Sequence, residues 1–481
     1  MLMELDNSQS KFLKEFETEI QNFKNDFFIL TGPAGSGKTE VIKEAVKICE
    51  DNNVGHQCLA FTGRAASVLR NRGLKNAKTI DSWMYQLNKQ TTFEENFFNN
   101  DSFVFFIDES SMISNSAVVY KNREPELDFK LDEIMWSTFR HIPCKNIMFI
   151  FVGDSNQLPP LKHDYCPALD ENYFKNRYGL NGISYSLNKI HRQTSESEIT
   201  KVAKNFMQQD NQTVKRIPPL NNIKDDVTVI QNDEIIPYFF DFYFQNKHDV
   251  KIITATNKKA DYYNFLIKEK LSSGATGKFH PYQIPNDYLE PQKGDILQLF
   301  ENTGAIYEFP LFNGQFVEVI ETGLAEEEIL SKGSQVPDRI PFINQDIYVE
   351  TISDNGLREG NLQNIRISID HLVNSVNLNK EQYEYFDKKG DSVLDNIKNY
   401  ASKAISKRIF FDKQYNPVLT RYGYAITGHK AQGGGWNNII IDFSGFNDDN
   451  GHLPPSWIYT AITRAKSNLL IANYPEELSN E

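Results

Sequence analysis

Three short stretches of this chain carry residue types that handle phosphate. The first reads GPAGSGKT, with Gly32, Gly35 and Gly37 leading into Lys38 and Thr39. In a GxxxxGK[ST] loop, successive backbone N–H groups and the start of the next helix surround an anion. The lysine reaches the β- and γ-oxygens, and the threonine hydroxyl is offered to Mg²⁺. The second stretch is Asp108-Glu109, an acidic pair suited to holding Mg²⁺ through Asp108 and polarising a water through Glu109. The third is GDSNQLPP, where the amide of Gln157 can touch a γ-phosphate or simply belong to a turn stiffened by Pro159 and Pro160.

Each stretch needs a strand to aim it. Phe27 to Leu30 is an apolar run just before the glycines, and Val41, Ile42, Ala45, Val46 and Cys49 follow at helical spacing. This strand–loop–helix context is the one a phosphate loop requires. SFVFFID places Asp108 at the end of another apolar run, and Ile147 to Val152 does the same for Gly153 and Asp154. Acidic and polar groups at the carboxyl ends of parallel strands face the crevice where such sheets bind ligands. In CLAFTGRAASVLR, Thr62 and Arg64 sit at a fourth strand-to-helix turn, as contacts for a nucleic-acid backbone or, for Arg64, as a helix-surface charge. Gln9 either reads an adenine edge or lies exposed on an amphipathic helix. Near the C-terminus, AITGHKAQGGGW sets Thr427, His429, Lys430, Gln432 and Gly433 before a further apolar run, without a lysine–threonine ending of its own.

The ordered set GPAGSGKT, IDESSM, GDSNQLPP, LNKIHRQ, ITGHKAQG and YTAITRAK resembles the motifs of superfamily 1 helicases, with wording similar to the RecD-like and phage Dda-like branch. The resemblance runs from about Gln9 to Lys466. It implies ATP and Mg²⁺ as cofactors, 5′-to-3′ translocation on single-stranded DNA, and unwinding of forked duplex. It makes Gln9 the adenine contact, Arg192 and Arg464 the arginine fingers, and Gln432 and Gly433 a second approach to the nucleotide. Lys38, Thr39, Asp108, Glu109 and Gln157 keep the roles argued above. Thr62, Thr79, Thr427, His429 and Lys430 match positions of the DNA track. Asp81 stands where this branch usually has a histidine, and an acid beside a phosphate track is unfavourable.

The fold class implied is α/β, two RecA-like motor domains with two inserts. Residues 1–185 form the first motor domain. A hairpin pin over about 85–100 carries Phe93, Phe97 and Phe98, which would stack on the last base pair or anchor the hairpin in the core. Residues 186–270 and 417–481 form the second motor domain. Residues 271–416 read as short alternating strands, GDILQLF, GQFVEVIE, DIYVETI and NIRISID, which suit the SH3-like barrel of the family. A charged helical stretch over 379–407 would project from it, bracing the pin, standing solvated or taking a protein partner.

The chain has 481 residues and a net charge of −13, which speaks against a polyanion-coating protein but allows a local basic track. Its four cysteines show neither CxxC nor histidines at ligand spacing, so buried thiols in a reducing compartment are expected. The start is mixed and acidic, unlike a signal peptide, and the apolar runs are of strand length, so no membrane association and a cytoplasmic location are expected. An RNA-directed relative and a nucleotide-dependent switch that does not translocate are the competing readings. ATPase stimulation by DNA against RNA oligomers of equal length separates them. Replacing Lys38 with alanine removes the point charge on the β/γ oxygens. Lys38→Ala is expected to abolish ATP turnover with the fold intact, and turnover at the wild-type rate would refute the phosphate-loop assignment.

Overall fold

The computed structural model describes residues 5–89, 101–118, 126–128, 130–160, 163–191, 197–207, 226–273, 290–300, 311–330, 340–352, 358–368, 372, 418–445 and 454–474. Its first body runs α1 (Asn7–Glu19), β1 (Phe27–Thr31), α2 (Lys38–Asp51), β2 (Gly55–Ala60), α3 (Gly63–Asn71), β3 (Lys78–Thr79), α4 (Ile80–Lys89) and β4 (Ser102–Asp108). There follow a small hairpin, β5 (Ser116–Val118) with β6 (Glu126–Asp128), then α5 (Lys130–His141), β7 (Asn146–Gly153), α6 (Glu171–Tyr178) and β8 (Gly182–Ser186). Six strands pair in the order β3-β2-β4-β7-β1-β8, all parallel.

A parallel sheet is covered on both faces, and its strands read as nearly continuous apolar runs. Here Val104 and Phe106 face the helices α1, α2 and α3, packing with Phe12, Phe16, Val41 and Leu69. Phe103, Phe105 and Ile107 face α4, α5 and α6, with Trp83, Leu131, Ile134 and Phe174. Two cores clamp one sheet, and the carboxyl ends of β1, β4 and β7 are thereby held side by side.

The second body contains α7 (Glu198–Lys204), β9 (Val227–Ile230), α8 (Ile235–Gln245), β10 (Val250–Thr254) and α9 (Asn257–Ser273). An antiparallel insert follows: β11 (Ile296–Leu299), β12 (Phe316–Leu330), β13 (Ile340–Ile352), β14 (Arg358–Ser368) and β15 (Thr420–Tyr422). The chain then returns through β16 (Ala425–Thr427), α10 (Gly428–Ala431), β17 (Trp436–Asp442), α11 (Pro455–Ile462) and β18 (Ala465–Ala472). The second parallel sheet is ordered β16-β10-β17-β18-β9 and the antiparallel one β14-β13-β12-β11-β15. A bridge between Ile367 and Val418 ties β14 back to the segment leading into β15, bringing the two edges of that sheet together. Among the described residues no helix is long and apolar enough to cross a membrane.

Some expectations meet a different structure. The insert expected from residue 85 begins as helix: Ile80, Trp83, Met84 and Leu87 bury one face and carry α4 through Lys89. The rest of that segment, with Phe93, Phe97 and Phe98, lies outside the described residues, as does 379–407. Two of the strands read as short are long. β12 and β13 pair over most of their lengths, with register shifts at Val319/Glu321 and Thr322/Ala325 that break the simple alternation.

Buried ion pairs fasten the insert to the second body. Glu318 on β12 is 1% exposed and meets Lys247 at 2.7 Å, His248 at 2.9 Å and the Arg358 guanidinium. Lys268 of α9 meets Asp295 at 2.5 Å, and Tyr424 donates to the same carboxylate at 2.8 Å. Burial opposes the charge on Glu318, yet hydrogen bonds from His248, Arg358 and Lys247 hold its carboxyl at about 2, below the ordinary 4.5. A depressed carboxyl contributes stability above its unfolded pKa and loses it as pH falls through the folded value. Glu318→Gln is therefore expected to melt well below wild type at pH 7. The gap should close as pH drops from about 4.5 to about 2, and a gap independent of pH would contradict the ion-pair assignment.

Candidate active site

The phosphate loop connects β1 to α2. Gly35 and Gly37 have φ of +83° and +82°, a backbone that exposes successive amides at the start of α2. Lys38 Nζ donates to the carbonyls of Gly32 at 2.6 Å and Pro33 at 3.1 Å. Gln9 is 3% exposed, so the alternative of a solvent-facing helix residue is set aside. Its Nε2 donates to Ser36 O at 3.0 Å and its Oε1 accepts from Asp6 N at 3.0 Å, closing a capping box on α1.

Asp6 meets His191 Nε2 at 2.8 Å, and His191 N donates to Gly35 O at 2.7 Å. Burial works against the charge on Asp6, but hydrogen bonds from Ser8, Gln9 and His191 pull its carboxyl down to about 2. The segment that ends at His191 is thus bound to the phosphate loop. Arg192, one residue on, lies outside the described residues.

Asp108 closes β4 and is 8% exposed. Burial and the adjacent Glu109 push its carboxyl up to about 7, against the pull of Lys38. Two adjacent acids at a strand end are the donor type a divalent cation takes. Asp108 and Thr39, in the first turn of α2, are the residues that would hold Mg²⁺. Glu109 has φ of +54°, a conformation costly for a residue with a Cβ and common at active sites. The buried oxygens Ser36 Oγ, Ser111 Oγ and Gln157 Oε1 have no hydrogen-bond partner among the described residues, so they can bind a polar ligand.

The second body completes this crevice. Gly433, φ +71°, faces the first body: a Cβ there would stand 3.3 Å from Thr62 Oγ1, closer than usual, and 3.9 Å from Glu109 Cγ, an ordinary contact distance. Gln432, expected at the nucleotide, donates from Nε2 to Leu158 O at 3.0 Å. Leu158 N donates to Thr460 Oγ1 at 3.0 Å, and the Tyr459 hydroxyl donates to Asp154 Oδ2 at 2.8 Å. The loop after β7, which carries Gln157, is therefore gripped by three side chains of the other body. Tyr459 and Thr460 escaped the sequence reading, although they stand beside Arg464 in YTAITRAK, because an apolar helix face is their default reading. Arg464 is 3% exposed and bonds Thr460 O, Gly434 O and Thr463 Oγ1 at 2.9, 3.0 and 3.1 Å. Burial pushes its pKa down while Glu109, Tyr459 and Asp154 pull it up.

The threonines of the expected DNA track share one geometry. Thr62 accepts from Ala65 N, Thr79 from Ser82 N and Thr427 from Lys430 N, each at the first turn of a helix. A hydroxyl that accepts in this way keeps its own O–H to donate to a phosphate oxygen. Burial lowers the pKa of His429, favouring the neutral ring. Lys430 Nζ bonds Asn313 Oδ1 at 3.1 Å and lies 4.5 Å from the Phe300 ring centre, with burial and Arg421 pushing its pKa down to about 8.

Arg64 differs from the expectation. It is buried, its guanidinium 4.1 Å from the Trp436 ring centre and 5.3 Å from that of Phe316, in a niche that the missing side chain of Gly434 leaves open. It joins three bodies instead of facing a strand. Asp81 is paired with Lys130 at 2.7 Å.

Comparison with known proteins gives the following similarities. Residues 17–120 match the model of an AAA domain, and 422–472 match that of a UvrD-like helicase C-terminal domain. The chain is 26% identical to an uncharacterised protein, MJ1519, of Methanocaldococcus jannaschii over 99% of its own length, spanning 39% of that protein. It is 23% identical to the RecBCD enzyme subunit RecD of Buchnera aphidicola, covering 94% of this chain and 71% of that one. The Pif1 helicase from Candida albicans superposes with a TM-score of 0.49 at 15% identity, covering 98% and 95% of the two chains. Two domain models matched in order, a relative of 23% identity along most of the chain, and six motifs in sequence make this chain similar to the superfamily 1 helicases of the RecD-like branch.

Proposed function

We propose that this chain is an ATP-dependent DNA helicase that moves 5′-to-3′ along single-stranded DNA and separates forked duplex. The observation that carries the reading is the seat of Gly433 against Thr62 and Glu109. One turn of the second body lies beside both a threonine of the expected strand track and the acid placed to activate water.

In this reading Lys38 turns from the carbonyls of Gly32 and Pro33 to the β/γ oxygens of ATP, and the amides of Gly35 and Gly37 line the phosphates. Thr39 and Asp108 would hold Mg²⁺, which would supply positive charge to the phosphate oxygens. Glu109 orients water, Gln157 contacts the γ-phosphate, and Arg464 with Arg192 stabilises charge that develops in transfer. Gln9, with one N–H and one lone pair still available, reads the adenine edge. Thr62, Thr79 and Thr427 donate hydroxyl protons to strand phosphates, with His429 and Lys430 beside them. Strand contact at Thr62 and Thr427 and catalysis at Glu109 then depend on the same fit between bodies.

Strand displacement on two forks, one with a 5′ and one with a 3′ single-stranded tail, tests the proposal. Unwinding of the 5′-tailed fork with ATP is expected. Unwinding only from the 3′ tail would overturn the direction. ATP turnover indifferent to DNA would leave a switch protein, and stimulation by RNA alone would transfer the reading to an RNA-directed enzyme.

A further inference from the structure

Tyr459 is an apolar-face residue of α11 by sequence, yet its hydroxyl lies in the other body's machinery. The side chain is 1% exposed. Its oxygen accepts from Ala34 N of the phosphate loop at 3.2 Å and donates to Asp154 Oδ2 at 2.8 Å. Asp154 in turn accepts from Gln157 Nε2 at 3.4 Å and from Asn156 N at 3.1 Å, so the chain of hydrogen bonds runs from the phosphate loop through the second body to the amide placed for the γ-phosphate. We propose that Tyr459 is a positioning residue that makes ATP turnover depend on closure of the two motor bodies, its hydroxyl setting the phosphate loop and the Asp154–Gln157 loop in register. This rests on the ATPase reading above and names the part of the second body that regulates that site.

Three features separate this role from core packing. Both hydrogen bonds of the hydroxyl cross to the first body, whereas a ring needed only for packing would do as well as phenylalanine. The ring borders a cavity lined by Ala34, Ile190, Ile199, Tyr459 and Thr463, so packing is incomplete on that side and the polar contacts locate the hydroxyl. The neighbouring Thr460 grips Leu158 N of the same loop, and Arg464 follows two residues after the end of the same helix. Parting the bodies by a fraction of a hydrogen-bond length strips Asp154, itself 1% exposed, of this donor.

The test is steady-state ATP turnover and ADP affinity of Tyr459→Phe, Asp154→Asn and the double variant, with and without single-stranded DNA. Losing a hydrogen bond to a buried carboxylate is expected to lower DNA-stimulated kcat roughly 10- to 100-fold. ADP affinity should move less than about threefold, since Lys38 and the loop amides remain, a split characteristic of an interaction made in the reacting complex. The double variant should cost little more than Asp154→Asn alone, because that variant already disturbs the carboxylate that accepts from Tyr459, Gln157 and Asn156. Wild-type kcat in Tyr459→Phe would overturn the proposal, as would parallel losses of kcat, ADP affinity and melting temperature, or additive losses in the double variant. A wild-type protein without ATP turnover would instead sink the ATPase reading, and this proposal with it. Asp154→Asn, of nearly equal shape, keeps the test decisive if Tyr459→Phe folds poorly.

Discussion

The backbone at Gly433 reaches the side chains of Thr62 and Glu109, and no residue with a Cβ fits there without strain. It is one of several close approaches between the bodies, with Gly434 beside Arg64 and Gly63 beside Phe312. Gln432 can then bond Leu158, α11 can deliver Tyr459 and Thr460 to the loop after β7, and Arg464 can lie within electrostatic range of Glu109. The phosphate loop belongs to one body, but its surroundings are shared. In the proposed reading, a site divided in this way would turn a change in ligand into a change in the fit between bodies.

The seam is polar and buried, so it is sensitive to small displacements. Hydrogen bonds in a low-dielectric setting are strong when made and costly when left unmade. The cationic part of the seam is built differently. Arg64 lies over Trp436, and Lys251 lies 4.9 Å from the Phe316 ring centre, its pKa pushed down to about 7 by burial and by Arg64. Aromatic faces lie against both cations, and the Asp249 carboxylate opposes the fall in the Lys251 pKa. The antiparallel insert joins this cluster through Phe316 and is fastened to the second body through Glu318 and Asp295. The insert therefore moves with the second body and meets the first at Arg64 and, through Phe312, at Gly63.

Much of the site was legible because its residues are local to one strand end. Gly32 to Thr39, Asp108-Glu109 and Asp154 to Gln157 each follow an apolar run, and a parallel sheet brings such ends together. The turn at Gly433 was legible as a departure from the phosphate-loop pattern. Tyr459, Thr460, His191 and Asp6 were not, because their roles come from hydrogen bonds across long sequence separations that no periodicity records. Arg64 was misplaced for the same reason: its niche is made by Trp436 and Gly434, far along the chain. The long hairpin of β12 and β13 was hidden by bulges that interrupt the alternation, and α4 ran past its expected end because its buried face continues to Leu87.

The most direct measurement of the central claim is single-turnover ATP hydrolysis by Gly433→Ala, set beside its equilibrium affinity for ADP. A Cβ at this position, strained at φ +71° and 3.3 Å from Thr62 Oγ1, is expected to disturb the fit of the second body against the first while leaving the phosphate loop untouched. The account predicts ADP affinity near that of wild type, hydrolysis slowed by roughly tenfold or more (about 1.4 kcal/mol of transition-state stabilisation), and loss of stimulation by single-stranded DNA. Hydrolysis at the wild-type rate with full DNA stimulation would contradict it, placing the coupling elsewhere and leaving the glycine-rich turn as architecture.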